Sequence, residues 1–100
     1  MSYATGQTIN EVFLSVDAYN NPVVPATFTS YLLKDGGIYT GATLNFNLID
    51  ANAGLYEYDF TPTENGDYQV YISNNDVSLI YISNVFKVED LAASIVYVGL

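Results

Sequence analysis

The side chains that could perform chemistry in this chain are carboxylates and tyrosines. The sequence contains no Cys and no His, which excludes thiolate nucleophiles, Ser-His-Asp triads and the usual zinc sites. Paired carboxylates can hydrolyse glycosidic bonds, and Glu57 and Asp59 share one face of an alternating segment. The same spacing is typical of a solvated strand face. We therefore predict no catalytic residues, no cofactor and no enzymatic activity.

Acidic turns raise the question of a calcium site. The segment 50–54, DANAG, resembles the start of an EF-hand loop, but it lacks the third ligand, the glycine offset and the distal Glu. The segments 65–67 and 74–76 are comparable clusters of Asn, Asp and Gly. Turn chemistry accounts for all three segments. No metal site is predicted, although a weak calcium site stays open.

The charge of the chain restricts its partners. The net charge is −9, with two lysines and no arginine, so the chain should repel nucleic acids and anionic membrane surfaces. No apolar run approaches the roughly 20 residues of a membrane helix, and the segment 1–10 lacks the features of a signal peptide. We expect a protein that is made in a cytoplasm, is not secreted by a signal peptide and meets a partner with basic groups.

Hydrophobicity alternates with a period of two along most of the chain, which predicts an all-β fold. Clusters of Gly, Asn, Asp and Pro separate the alternating segments, as in a sandwich or barrel. One domain fits the length of 100 residues. About seven strands are predicted, at 9–17, 23–33, 38–40, 43–49, 55–61, 67–73 and 78–89. The domain would cover 9–90, with an N-terminal arm at 1–8 and an apolar C-terminal tail at 91–100.

A repeated Gly-x-Tyr unit marks two strand entries. Gly54 and Tyr56 form the first unit, Gly66 and Tyr68 form the second, and Pro62 lies between them. Each glycine suits a turn exit. A tyrosine just after a crossing between sheets can bond a backbone group a few residues upstream, in the arrangement called a tyrosine corner. We therefore take these five residues as structural markers and expect Tyr68 to be buried.

Over about 35 residues the sequence resembles a known family. The pattern Gly54-x-Tyr56-x-x-x-Phe60-x-Pro62, followed by Gly-x-Tyr-x-Val at 66–70 and ISNVFKV at 82–88, looks like the second half of a filamin-type immunoglobulin-like repeat. The resemblance implies an immunoglobulin-like Greek-key β-sandwich. It departs from the family at 84–85, where Asn-Val stands in place of the usual proline. An actin-linked role belongs to long arrays and is not implied for one repeat.

Single immunoglobulin-like modules on short, Cys-free chains are also similar to accessory structural proteins of tailed bacteriophages. That resemblance implies a non-enzymatic virion protein, such as a head decoration, head fibre, connector or tail component. Its partners would be other virion proteins or further copies of itself, and it would reside in the virion. It would dock through Tyr-rich sheet faces and the flanking segments 1–8 and 91–100. The alternative is a recognition module that binds a glycan or a host surface through loop tyrosines and Asn-rich loops.

Tyrosines are the first candidates for an interface, because they offer large contact area at small entropic cost. Tyr71 and Tyr81 fall on adjacent predicted strands and are expected to be exposed. Tyr19, Tyr31 and Tyr39 lie near predicted loops and could serve a recognition module. The alternative is that these side chains only cover the outer face of a sheet with few charges.

The segment 94–100, SIVYVGL, is the second candidate, because it combines high β propensity with no charge and no proline. Left on an exposed edge, such a segment would aggregate. It should therefore pair, either with another chain by β-augmentation or with its own sheet as an eighth strand. We favour the partner chain, which makes the following residues interface candidates: Ile95, Val96, Tyr97, Val98 and Leu100.

Overall fold

The chain folds into an all-β structure. The computed structural model describes residues 2–25, 27–74 and 79–90. These ranges contain no helix, and so none that could span a bilayer. They form nine strands, β1 (Ser2–Ala4), β2 (Ile9–Leu14), β3 (Thr29–Lys34), β4 (Gly37–Ile38), β5 (Asn45–Asp50), β6 (Leu55–Phe60), β7 (Gly66–Ser73), β8 (Tyr81–Ile82) and β9 (Phe86–Glu89).

The strands form two sheets of unequal size. The larger sheet has the order β1-β9-β7-β3-β4, with β8 also paired to β7, and the smaller sheet has the order β2-β6-β5. All pairings are antiparallel except that of β1 with β9, which is parallel. The first residues of the predicted N-terminal arm thus belong to the larger sheet.

The core lies between the two sheets, as in a β-sandwich. Both sheets contribute fully or almost fully buried side chains, which are Ile9, Phe13, Tyr56, Tyr58 and Phe60 from the smaller sheet and Leu32, Tyr68, Val70, Ile72, Phe86 and Val88 from the larger. Aromatic rings contact each other across the interface, for example Phe60 and Phe86 with centroids 5.9 Å apart. Rings bury large apolar areas, so a chain with 15% aromatic residues can build a core without Trp or Cys.

The two Gly-x-Tyr units occupy strand entries, as the sequence predicts. Gly54 has φ +65° and precedes β6, and a Cβ on it would lie only 2.3 Å from the backbone oxygen of Ser15. Tyr68 is fully buried near the start of β7, and its hydroxyl donates a 2.9 Å hydrogen bond to the carbonyl oxygen of Glu64. This bond to a backbone group four residues upstream is that of a tyrosine corner. Pro62 is buried in the same connection.

The turn between β3 and β4 also follows from its sequence. Lys34 pairs with Gly37, so Asp35 and Gly36 form a two-residue loop, and both have positive φ, +52° and +84°. Asp-Gly is a preferred pair for such a turn, whose twist matches that of the flanking strands. One carboxylate oxygen of Asp35 also accepts a 2.9 Å hydrogen bond from the backbone N–H of Asp67, at the start of β7.

Several predicted strands are shorter than expected. The strand predicted over 9–17 ends at Leu14. The prediction of a strand over 23–33 is wrong at its start, because β3 begins at Thr29; Pro25 has no N–H to donate to a ladder. The prediction of one strand over 78–89 is wrong because β8 and β9 are separate. Between them, the side chain of Ser83 accepts the N–H of Val70 at 2.8 Å and donates to the carbonyl of Asn84 at 2.7 Å. The Ser83 N–H still donates to the Val70 carbonyl at 2.9 Å. The pairing with β7 then shifts by one residue between Ser83 and Phe86, and this shift separates β8 from β9.

Candidate docking surface

The outer face of the larger sheet carries an uncharged row of large side chains. Tyr31 on β3 pairs with Tyr71 on β7, and Tyr71 pairs with Ile82 on β8. Direct partners on neighbouring strands project to the same side of a sheet. The buried residues Leu32 and Ile72 point to the other side, into the core. The row Tyr31–Tyr71–Ile82 therefore faces outwards.

A second row lies beside the first. Leu33 on β3 pairs with Ile38 on β4, across the tight Asp-Gly turn. Ile38 is 70% exposed, whereas Tyr31 and Ile82 are each 49% exposed, and Leu33 is half-buried. We call these two rows together the aromatic face: Tyr31, Leu33, Ile38, Tyr71 and Ile82. Contiguous apolar surface of this kind on a sheet marks interaction sites more often than scattered apolar residues do.

The aromatic face is bounded at one end by acidic side chains. A groove of about 380 Å³ runs along this end, lined by Leu33, Asp35, Gly36, Asp67, Gln69 and Val85. The pKa of the Asp35 carboxyl is lowered, chiefly by the hydrogen bond from the Asp67 N–H and then by that from Lys34. Both carboxylates are exposed. The surface therefore combines an apolar centre with a negative rim, which favours a partner with basic groups at the corresponding place.

Tyr81 does not belong to this face, and the prediction that it is exposed is wrong. It pairs with Ile72, whose side chain is fully buried, so Tyr81 also points inwards. Its ring packs against Phe13 with centroids 5.7 Å apart, and its hydroxyl lies 2.9 Å from that of Tyr58. Burial raises the pKa of both Tyr58 and Tyr81. Tyr81 is a partly buried residue that packs against the core.

The loop tyrosines differ in how freely they are displayed. The hydroxyl of Tyr39 donates a 2.8 Å hydrogen bond to Glu64, and its ring meets Tyr68 edge-on at 5.5 Å. Gly41 leaves room for this ring, because a Cβ there would overlap the Tyr39 side chain. Tyr39 therefore supports the tyrosine corner. Tyr19, in contrast, is 85% exposed.

The loop that presents Tyr19 is organised by one carboxylate. Asp17 accepts hydrogen bonds from the backbone N–H groups of Asn21 and Tyr19, at 2.9 and 2.8 Å. These bonds lower the pKa of the Asp17 carboxyl, the one from Asn21 most. Asn20 adopts a positive φ of 65° at the tip, a conformation that Asn tolerates. The turn signal in the sequence at 19–22 is thus a structured loop.

The paired carboxylates of β6 are held by amides on the outer face of the smaller sheet. Glu57 accepts hydrogen bonds from Asn47 at 2.9 Å and Asn10 at 3.4 Å, and Asp59 accepts one from Asn45 at 3.0 Å. The partners are neutral amides, whose N–H groups donate to the carboxylate oxygens. This arrangement supports the interpretation of these residues as a strand face.

The acidic turn at 50–54 is organised by a local hydrogen bond. Asp50 accepts the N–H of Asn52 at 3.0 Å, which is the local turn bond expected of an Asx residue. Within 2–25, 27–74 and 79–90, no group of three or more acidic side chains could hold a metal ion. Asn75 and Asp76 lie outside the described residues.

The remaining interface candidates cannot be placed on this surface. Ile95, Val96, Tyr97, Val98 and Leu100 lie outside the described residues. Tyr71, which the sequence analysis expected to be exposed, is only partly exposed on this outer face, and the sequence analysis did not name Ile38 and Ile82 beside it. The Asp-Gly turn fixes the pairing of Leu33 with Ile38, so the sequence contains a local signal that predicts the position of Ile38. The pairing of β7 with β8 involves no tight turn and leaves no such signal.

Comparisons with known proteins add no relationship. The chain was compared with protein-family models, curated proteins and solved structures, and no significant match was found. A function must therefore be inferred from the aromatic face, the loops and the sheet edges of this chain itself.

Proposed function

We propose that the chain is a non-enzymatic structural subunit with an immunoglobulin-like Greek-key β-sandwich. The order β2-β6-β5 in one sheet and β9-β7-β3 in the other supports this fold, because it corresponds to the B-E-D and G-F-C strands of immunoglobulin domains. The hydrogen bond from Tyr68 to the Glu64 carbonyl adds support, since it lies at the E–F corner of that strand order.

The aromatic face is the observation that carries the proposal of docking. Three of its members, Tyr31, Ile38 and Ile82, are each about half exposed or more, and none of the five side chains is charged. Interface centres are depleted in charge and enriched in Tyr. Few charges would be desolvated when a partner covers this face, while the carboxylates at its rim would guide a basic partner.

The assembly that we propose is the virion of a tailed bacteriophage, in which the chain would be a head decoration, head fibre, connector or tail component. This assignment rests on the sequence resemblance to such accessory proteins, on the acidic and Cys-free composition and on the uncharged face. The partners would be other virion proteins, and no nucleic acid or membrane contact is part of the proposal.

The proposal is tested with two matched tyrosine variants. Labelled wild-type chain, Tyr31→Glu and Tyr19→Glu are added to tailed-phage particles that lack the chain, and binding is measured by co-sedimentation. Tyr31→Glu places a carboxylate in the middle of the aromatic face and should weaken binding by at least about tenfold, as for an interface hot spot. Tyr19→Glu should bind as the wild type does. Both variants alter exposed side chains, so their thermal unfolding should stay close to that of the wild type.

The other outcomes contradict the proposal. Failure of the wild-type chain to bind any particle would overturn the assignment to a virion. Loss of binding in Tyr19→Glu alone would move the contact to the 17–21 loop. That loop supports the second candidate function, recognition of a glycan or host surface, because it displays a tyrosine that is 85% exposed on a hydrogen-bonded turn.

A further inference from the structure

Neither edge strand of the smaller sheet, β2 or β5, has a strand paired to its outer side in the described part of the chain. The register of β5 shifts between Leu48 and Asp50, which makes it a poor template, whereas β2 pairs regularly over all six residues. Strand β2 (Ile9–Leu14) is hydrogen-bonded to β6 on one side, and its other side is the end of the sheet. Alternate backbone N–H and C=O groups of an edge strand are left unpaired and form a template for another strand. The first strand of the chain does not fill this place, because β1 pairs with β9 in the larger sheet.

The outward side chains of β2 indicate which residues a strand paired to it should carry on its outer face. Val12 and Leu14 point away from the core and are 52% and 53% exposed, although they belong to a six-residue strand. A strand paired to β2 would place its own outward side chains beside these two. Apolar residues there would remove Val12 and Leu14 from water.

The inner face of β2 adds a specific requirement. Glu11 pairs with the fully buried Tyr58 and lies between Ile9 and Phe13, so its carboxylate is on the inward side of the edge strand. It lines a cavity of about 170 Å³ with Tyr3, Asn84, Val85 and Phe86. An inward charge discourages pairing with ordinary apolar strands. A strand that brings a hydroxyl group to this position would satisfy the carboxylate and be selected over others.

The segment 91–100 has both features. Its residues 94–99, SIVYVG, would span about 20 Å as a strand, which matches the six residues of β2. In a strand, Val96 and Val98 would share one face and could lie opposite Val12 and Leu14. Tyr97 would then be on the other face opposite Phe13, from where its hydroxyl could donate to the diagonal neighbour Glu11. The segment carries no charge that would be buried unpaired.

The route from β9 favours a second copy of the chain over the same copy. Strand β9 ends beside β1, where Ala4 pairs with Glu89 and the N–H of Thr5 donates to the Glu89 carbonyl at 3.1 Å. The connection 5–8 then crosses at this end to the start of β2, with Gly6 bonded to Pro62. A path from Asp90 to the open side of β2 in the same copy would have to cross that connection, which protein folds avoid.

We propose that residues 94–99 of one copy add as a strand to the open edge of β2 in a second copy, with Tyr97 donating to Glu11. The inference rests on the proposed structural role and adds the means of self-assembly. If two copies exchange the segment reciprocally, a closed dimer forms; if they do not, head-to-tail association continues along a filament or ring.

The absence of Cys allows a clean cross-linking test. Val12→Cys chains are mixed with Val96→Cys or Val98→Cys chains, each carrying a different isotopic label, under mild oxidation. We expect a disulfide-linked heterodimer from one of the two mixtures, according to register. The control mixture uses Val24→Cys, since Val24 is 53% exposed, like Val12, but lies outside β2. It should give only background cross-linking.

Each other result has a defined meaning. Cross-linking with Val24→Cys as strong as with Val12→Cys would overturn the proposed site. An internal disulfide in the Val12→Cys/Val96→Cys or Val12→Cys/Val98→Cys double variant, without heterodimers from the mixtures, would show an eighth strand in the same copy. The absence of any cross-link would also refute the pairing. Because no particle is used, this test is separate from the co-sedimentation test of the structural role.

The role of Tyr97 has its own readout. Tyr97→Phe keeps the apolar strand but removes the hydroxyl, so wild-type chain should associate more tightly than the variant in sedimentation experiments over a range of concentrations. Tyr97→Phe combined with Glu11→Gln should regain part of the lost affinity, because no charge is then left buried. Equal association of Tyr97→Phe and wild type would refute the contact with Glu11.

Discussion

Replacement of Gly54 by Ala should destabilise the fold far more than one methyl group normally does. Gly54 has φ +65°, where an L-residue costs about 1–2 kcal/mol. The added Cβ would lie 2.3 Å from the Ser15 carbonyl oxygen and 3.2 Å from Pro22. The obstacle is backbone, so we add roughly 1–3 kcal/mol for overpacking. We expect a total loss of about 2–5 kcal/mol in the free energy of unfolding.

Gly6→Ala provides the matched control. Gly6 also has a positive φ, +82°, but a Cβ on it would meet nothing within 4 Å. Its cost should be the conformational strain alone, about 1–2 kcal/mol. The two variants then differ by the contact between residue 54 and Ser15, where the Ser15 N–H also donates to the Gly54 carbonyl at 2.8 Å.

Urea denaturation of the wild type and the two variants measures this difference, provided that the slope with denaturant stays constant. Thermal unfolding gives a second readout, since 1 kcal/mol corresponds to roughly 4–8 °C for a domain of this size. If the two variants lose the same free energy of unfolding to within about 0.5 kcal/mol, the contact between the added Cβ and the Ser15 carbonyl oxygen costs nothing. That result would refute the steric reasoning.

Two further predictions concern the buried tyrosines. Tyr68→Phe should cost about 1–2 kcal/mol, because the Glu64 carbonyl loses its donor, whereas Tyr71→Phe on the aromatic face should change the free energy of unfolding by less than about 0.5 kcal/mol; equal effects in urea would contradict a stabilising tyrosine corner. Burial raises the pKa of Tyr68 to about 12, above the value of about 10 of an unfolded chain. A raised pKa stabilises the fold below the unfolded value, so stability should be complete below about pH 10 and fall as the pH rises towards 12. Titration of tyrosinate absorbance with parallel unfolding measurements tests this, and ionisation of all tyrosines near pH 10 in the folded chain would be inconsistent with it.

The regular features of the fold could be predicted from the sequence. Alternation located β6 and β7 to within one residue of their ends, because both have one face entirely buried. The Gly-x-Tyr units located Tyr68 because a turn glycine, a short crossing and an inward tyrosine all occur within local sequence. The turn at Asp35-Gly36 could also be predicted, because Asp-Gly strongly favours a two-residue hairpin loop.

Features that depend on partners distant in sequence could not be predicted. Apolar residues occupy both faces of β2, so periodicity alone does not tell that Phe13 is buried and Leu14 exposed. Tyr81 was assigned to the surface because its strand was taken as continuous from 78 to 89. The register against β7 shifts by one residue between Ser83 and Phe86, so that Tyr81 lies opposite Ile72 and faces inwards. No local signal in the sequence indicates those contacts.

The amide–carboxylate contacts on the smaller sheet determine how the fold responds to ionic strength. Glu57 and Asp59 are held by neutral Asn side chains, and two ion pairs join described residues to each other, Lys34–Asp35 and Lys87–Glu89. Salt can therefore weaken few attractive interactions in the described part of the chain. It does screen the mutual repulsion of a chain with net charge −9, over a Debye length of about 10 Å at 0.1 M. The fold should consequently tolerate high salt and lose stability mainly in dilute solution.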